Sequence, residues 1–158
     1  QEKDDSFFVG LGLSQSEQLM FISSGDHVTS EVRFVPRSNL LAEKTLIATR
    51  RAGHEYDVEH QGDSAETGRL IIRSNRNHPN FDLFETPMAS TEEATWQMLL
   101  PGGANHYLMG HVAFADAPLS NATWNIVSIN ACLDIFFRRA PMYTRARTPS
   151  ARCRFDRV

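Results

Sequence analysis

Residues 54–60 read HEYDVEH, two histidines and three carboxylates within seven positions. Those side chains are zinc ligands and proton carriers, so the run looks at a glance like a metalloprotease helix. The spacing rejects that. Two zinc-binding histidines on one helical face stand four apart, whereas His54 and His60 are six apart, with Glu55, Asp57 and Glu59 between them. On a strand, His54, Tyr56, Val58 and His60 share one face and the three acids the other, so the run reads as a half-exposed strand with a solvated acidic face. His27, His78, His106 and His111 fall near turns or strand ends and read as surface or hydrogen-bonded residues. The stretch SGDH (24–27) brings Ser, Asp and His together, but a catalytic triad is assembled in space, not by adjacency, and no G-x-S-x-G nucleophile elbow occurs. GGAN is a turn, not a phosphate loop. The sequence thus nominates no catalytic, cofactor-binding or metal-binding residue, implies no cofactor, and reads as a non-enzyme.

The remaining reactive or adhesive side chains have plain readings. Trp96 alternates with Met98 and Leu100, and Trp124 enters a strand, so both suit a core or a subunit interface better than a sugar-binding surface. NAT (121–123) is a glycosylation sequon, relevant only to a secreted chain. Cys132 and Cys153 make neither a disulfide framework nor a zinc pattern, and whether they bond to each other is left open.

Elements that would position these residues follow from hydrophobic periodicity. Short β-branched, aromatic and aliphatic runs recur between turn-prone clusters: 6–13, 19–24, 30–36, 44–51, 55–60, 68–74, 94–102 and 105–119, with a further long run near the carboxyl end. Eight or nine strands at that spacing predict an all-β sandwich or barrel. Helix competes in two places, at EQLMF behind Ser14 or Ser16 and over LLAEKTLI, where good helix formers cluster. Pro, Gly and Asn mark loops at 75–80, 87–93 and 101–105.

The chain has 158 residues and 41% hydrophobic composition, enough for one domain with a single sizeable core. No apolar stretch approaches the ~18 residues that a membrane-spanning helix requires. The formal charge of −3 disfavours a dedicated nucleic-acid binder, whose affinity rests on phosphate neutralisation. Seven of the sixteen basic residues, all arginines, lie in the last 21 positions, which predicts an Arg-rich arm over 143–158 behind a folded domain over 1–142. The chain opens with Gln1 and the polar QEKDD, from which no signal peptide is expected, and the terminus reads as processed or cut from a longer product.

The last long run, TWNIVSINACLDIFFRRAP (123–141), is read as one strand. With a period of two, Asn125, Val127, Ile129, Ala131, Leu133, Ile135 and Phe137 fall on one side, and Asp134 falls on the other, outside the core. The segment 107–141 resembles the carboxy-terminal part of the jelly-roll capsid proteins of picorna-like viruses. Gly110, Pro118, Leu119, Ala131, Asp134, Phe136, Phe137, Arg138, Arg139 and Pro141 stand where that family carries its corner and final strand. Residues 93–107 and 30–53 are similar to upstream strands of the same family.

That resemblance implies an antiparallel eight-stranded jelly-roll β-sandwich. It also implies a structural role: a capsid subunit, located in the virion and assembled in host cytoplasm, which joins copies of itself and related subunits into an icosahedral shell around an RNA genome. RNA contact would be weak and nonspecific. The alternative, from a different class, is a secreted or surface β-sandwich binding module that recognises sugar or protein near Trp96, Trp124 and PGGAN.

Overall fold

The computed structural model describes residues 2, 4–104, 107–115, 124–130 and 133–138. Strands dominate, as the alternation of apolar and polar residues requires. They form three antiparallel sheets. The first holds β1 (Phe8–Leu13), β2 (Leu19–Gly25), β3 (Ser30–Pro36) and the two-residue β4 (Thr45–Leu46), in that order. The second holds β5 (Tyr56–Gln61), β6 (Arg69–Ser74), β7 (Asp82–Pro87) and β8 (Gln97–Leu100), with a 3-10 turn at Glu93–Thr95 before β8. The third holds β9 (Gly110–Ala115), β10 (Trp124–Asn130) and β11 (Leu133–Arg138).

Each sheet is a meander in which neighbours in sequence are neighbours in space. All-β and antiparallel are therefore right, but the jelly roll is not. A jelly roll is built from Greek keys, which bring a strand distant in sequence back beside the first, and no described sheet contains such a return. Nor do the two predicted helices form. Ser14 and Ser16 belong to the tight β1–β2 turn, where Ser14 N–H and Glu17 N–H close turns on the Leu19 and Ser14 carbonyls. Residues 38–44 make a polar turn, and LLAEKTLI yields only β4 at its end.

The long carboxyl run splits into β10 and β11, an antiparallel hairpin joined through positions 131 and 132, which lie outside the described residues. Its register pairs Ile129 with Asp134 and Val127 with Phe136, so residues expected on opposite sides of one strand become cross-strand partners.

Two packed layers lie on either side of the second sheet. Leu19, Phe21, Val32 and Phe34 of the first sheet meet Tyr56, Leu70, Ile72, Phe84 and Trp96 in one buried cluster. Burying each such side chain contributes roughly 1.5–3 kcal/mol. On the opposite face, Ile71 and Leu83 meet Phe81, Leu108 and Ala113, next to the third sheet. The β5–β6 turn needs glycine at two positions: Gly68 has φ of 87° and a Cβ there would stand 2.1 Å from the Gln61 carbonyl oxygen, and a Cβ on Gly62 would stand 2.3 Å from that of Thr67.

Candidate functional site

The HEYDVEH run supplies β5, an edge strand hydrogen-bonded to β6 on one side only. Its backbone polarity is fixed by two bonds: Asn75 N–H donates to the Glu55 carbonyl, and Ser30 N–H donates to the His54 carbonyl on the other side. Since the N–H and C=O of one antiparallel residue point the same way and alternate along the strand, Asp57 and Glu59 direct theirs to β6. Tyr56, Val58 and His60 direct theirs to the open edge. Beside that edge a groove of about 390 Å³ runs between β5 and the face of β1 and β2, lined by Gly10, Gly12, Phe21, Val32, Val58 and Glu59 among others. Gly10 and Gly12 lie two apart in β1, and a Cβ on either would meet nothing within 4 Å.

Glu59 guards one end of this edge. Its Oε1 accepts the N–H of Gln15 at 2.8 Å and the N–H of His60 at 2.8 Å. Burial pushes its carboxyl pKa up, and the two N–H bonds oppose that only in part. None of the ion pairs formed among the described residues includes it. Its strand neighbour Asp57 does have a cation, Arg73 Nε at 3.0 Å, and the same guanidinium donates to the Leu108 carbonyl at 2.8 Å.

Both histidines of the run are buried on the inner face of the strand, opposite the partly exposed acids, as a half-exposed strand requires. His60 Nε2–H donates to the Thr67 carbonyl at 3.0 Å, so Nδ1 accepts the Ser16 hydroxyl at 2.6 Å. A serine on a histidine base is the opening geometry of nucleophilic catalysis. Here, however, the ring is 1% exposed, and Ser16 Oγ is engaged by Ser14 Oγ at 2.9 Å and by the Gln18 N–H at 3.3 Å. The pair ties the β1–β2 turn to the β5–β6 turn. Burial lowers the His60 pKa and keeps the ring neutral.

His54 is fixed in the same Nε2–H tautomer by different partners. Arg51 Nη2 donates to Nδ1 at 3.0 Å, and Nε2–H faces Ser74 Oγ at 2.9 Å. Arg51 in turn grips both carboxylate oxygens of Glu93, at 2.5 and 2.8 Å. The ring stacks on Tyr56 at 5.1 Å, and Trp96 lies 6.5 Å away. Burial first, and then the Arg51 charge, lowers the His54 pKa. Tyr56 donates its hydroxyl to the Ala48 carbonyl and accepts the Val32 N–H, while burial pushes its pKa up to about 12.

The other residues singled out in the sequence do not converge. His27 is exposed in the β2–β3 turn, where Asp26 accepts the Val28 N–H and Ser24 is bonded to Glu2 instead. His78 accepts the Asn80 N–H, and His111 donates to the Ile71 carbonyl. Trp96 is buried and donates to the Thr91 carbonyl. His106, the Asn121 sequon, Cys132, Cys153 and the arginine-rich segment 143–158 lie outside the described residues, as does the side chain of Trp124. Among the described residues no group of three His, Cys, Asp or Glu could hold a metal ion, and no helix is long and apolar enough to cross a membrane. Sequence reasoning missed Ser16, Arg51 and Glu93, which reach their histidines from 44, 3 and 39 positions away. The G-x-G alternation in FVGLGL was the one local signal for the groove.

Consecutive four-stranded antiparallel meanders, packed face to face, are the units of a β-propeller. A family model for the prolyl oligopeptidase N-terminal beta-propeller domain matches residues 1–118. The chain belongs to that family. Protease 2 of Moraxella lacunata is 35% identical over 88 residues, covering 56% of this chain and 12% of that protein. Dipeptidyl aminopeptidase BI of Pseudoxanthomonas mexicana is 34% identical over 98 residues, covering 61% and 13%. The structure of oligopeptidase B from Trypanosoma brucei with covalently bound antipain, in a closed form, superposes with a TM-score of 0.63 at 21% identity, over 85% of this chain and 19% of that one. The chain thus spans a small fraction of the length of the proteins it matches.

These findings overturn the capsid reading. Of the residues that carried it, the described ones form β9 and the separate paired strands β10 and β11, not a single final strand. A jelly-roll capsid subunit, a virion location, shell partners and an RNA genome contact all fall with it, as does the sugar- or protein-binding module offered as its alternative. The expectation of no enzymatic connection is corrected as well: the relatives are peptidases, and this chain matches only their propeller part.

Proposed function

We propose that this chain forms part of the non-catalytic propeller of a peptide-cleaving enzyme, positioned against a catalytic portion supplied by the rest of the same enzyme. The observation that carries this reading is the serial four-stranded meander together with its match to the propeller family over residues 1–118. Two features support a scaffold without catalytic groups of its own. Of the two serine–histidine pairs among the described bonds, Ser16 on His60 is closed off by burial and by competing donors, and Ser74 accepts the His54 Nε2–H, so that ring offers it no base. The chain also corresponds to 12–13% of the curated peptidases it matches.

Peptide hydrolysis tests this directly. The natural polypeptide that carries residues 1–158 should cleave short fluorogenic peptides and react with a serine-directed fluorophosphonate. The 158-residue chain alone should do neither. Hydrolysis by the isolated chain, or none by the natural polypeptide, overturns the proposal.

A further inference from the structure

The second sheet ends at β5 with an unfilled strand position. Its neighbour in space there is β3, joined by the Ser30 N–H to His54 carbonyl bond and by the Tyr56 hydroxyl under Val32. Past β3, no described residue covers the face of β1 and β2, and on it Phe8, Gly10 and Gly12 follow one another at alternate positions. Glycine at two successive same-face positions removes the side chains that otherwise hold packed sheets ≈ 10 Å apart. Neither glycine has a positive φ to explain it, and neither has a neighbour that a Cβ would strike. What the two glycines create is room beside an open strand edge. Of the backbone groups directed to that edge, the His60 N–H is taken by Glu59, whereas the N–H and C=O of Val58 point away from β6, towards the groove.

We propose that this slot binds an extended peptide as an added strand. The peptide pairs with the N–H and C=O of Val58, lays a side chain over Gly10 and Gly12 against Phe21 and Val32, and sets a cationic group on the Glu59 carboxylate. Strand addition at an exposed edge is an established mode of peptide recognition, with main-chain bonds for affinity and side-chain pockets for selectivity. A volume of about 390 Å³ fits a few extended residues, not a folded partner. Glu59 makes the choice of charge: it lies at the groove and takes two N–H bonds but no cation, so an incoming ammonium or guanidinium would find a carboxylate not already paired. The choice of a peptide as occupant rests on the peptidase reading above.

The test uses the natural polypeptide containing residues 1–158 and hydrogen exchange of the segment 55–61. The probes are four pentapeptides based on Ala-Ala-Phe-Ala-Ala: free or acetylated at the amino end, and with Arg or Ala at the fourth position. Peptides with a cationic group should protect 55–61. The acetylated Ala peptide should bind about tenfold more weakly, the difference expected for one charge-assisted hydrogen bond. Comparing the acetylated Arg peptide with the free-amine Ala peptide shows whether side chain or terminus supplies the cation. Gly12→Val fills the slot without striking the fold and should abolish the protection while peptide hydrolysis persists. Glu59→Gln should remove the preference for charge. The inference is overturned if the Val58 amide within 55–61 exchanges as slowly without peptide as its β6-bonded neighbours, if no probe slows it, or if Gly12→Val responds as the parent does. Hydrolysis without protection sinks the slot alone, whereas absent hydrolysis sinks the peptidase reading.

Discussion

The two faces of the β5–β8 sheet solve the same burial problem with different chemistry. Towards the first sheet, Ile72, Leu70 and Phe84 join aromatic and aliphatic partners; His54, His60 and Ser74 on that face are neutral and hydrogen-bonded, and the one carboxylate in register with them, Asp82, accepts the Gly102 N–H. Towards the third sheet, Ile71 and Leu83 are just as deeply buried, but charged side chains flank them: Arg69 with Glu85, and Arg73 with Asp57. Arg73 also lies 4.2 Å from the Phe81 ring centre. Strand alternation explains how both can coexist in one sequence, because RLIIRS presents Leu70 and Ile72 on one side and Arg69, Ile71 and Arg73 on the other. A long arginine stem packs like an aliphatic chain while its head stays paired, so the charged face buries apolar area without isolating a charge. The face towards the first sheet must then carry more of the folding free energy.

The sharpest break in that comparison is Phe84→Ala. Phe84 is 2% exposed among Trp96, Ile72 and Leu70, and the loss should be about 3–5 kcal/mol in equilibrium urea unfolding. Adjacent residues then separate the faces: Ile72→Ala should cost about 2–5 kcal/mol, and Ile71→Ala less than Ile72→Ala, because the arginine stems beside it can settle into the space. Equal losses at the two positions would show that the faces are energetically alike. Next in size is Arg69→Met, which strands the Glu85 carboxylate that Arg69 holds and should cost about 1–3 kcal/mol. Adding Glu85→Met should recover part of that loss, since a half-buried pair replaced on both sides leaves no orphaned charge. If the double variant were as unstable as the summed single variants, the two side chains would be uncoupled and the orphaned-charge argument would fail.

Acid should act on the buried histidines of both faces, His54 and His60 towards the first sheet and His111 of the third, whose pKa burial also lowers. The folded-state pKa values of His54 and His60 are lowered by burial, so the unfolded chain takes up protons that the folded chain refuses. Their contribution is present above the unfolded value near 6.5 and is lost as pH falls below it. Glu59 has the opposite sign. Its raised pKa favours the folded state below the unfolded value near 4.5, and that contribution is lost as pH rises through the folded one. The urea midpoint should therefore fall between pH 7 and pH 5.5, and His54→Gln should flatten that slope. A slope unchanged in the variant would locate the acid sensitivity elsewhere.

The alternation that made these strands also made them legible. The run 30–36 coincides with β3, and 19–24, 55–60 and 68–74 fall within a residue of β2, β5 and β6 at each end. Where local pattern is weak, the reading failed. β7 (Asp82–Pro87) was passed over because Asp82, Glu85 and Thr86 interrupt its apolar residues, yet Asp82 and Thr86 are buried on bonds to Gly102 N–H and to Ser90. The β10–β11 hairpin was read as one strand because positions 131 and 132 are Ala and Cys, with none of the Gly or Asn that announces a tight turn. From that error came the jelly-roll resemblance. The pairing of sheets, and with it the propeller, depends on which strands hydrogen-bond, and period-two alternation does not encode that. The histidine sites were equally hidden, since His54 and His60 look like residues on one face of a half-exposed strand until Glu93 and Ser16 arrive from elsewhere in the chain.

The smallest effect is also the most selective. Arg51→Met removes the grip on Glu93, a pair whose arginine side chain is 48% exposed, and should change stability by only about 0–1 kcal/mol. Its consequence for His54 is larger in kind. Arg51 is both the donor that occupies Nδ1 and the nearest positive charge opposing protonation, and Glu93 and Arg76 are the other charges that act on the ring. Without Arg51, Glu93 acts on the imidazole with less opposition, so the His54 pKa should rise in an NMR titration while that of His60, whose partners are Ser16 and Thr67, stays in place. A His54 pKa that does not move would mean that burial alone holds the ring neutral, and that the charges above it are bystanders to the face that carries it.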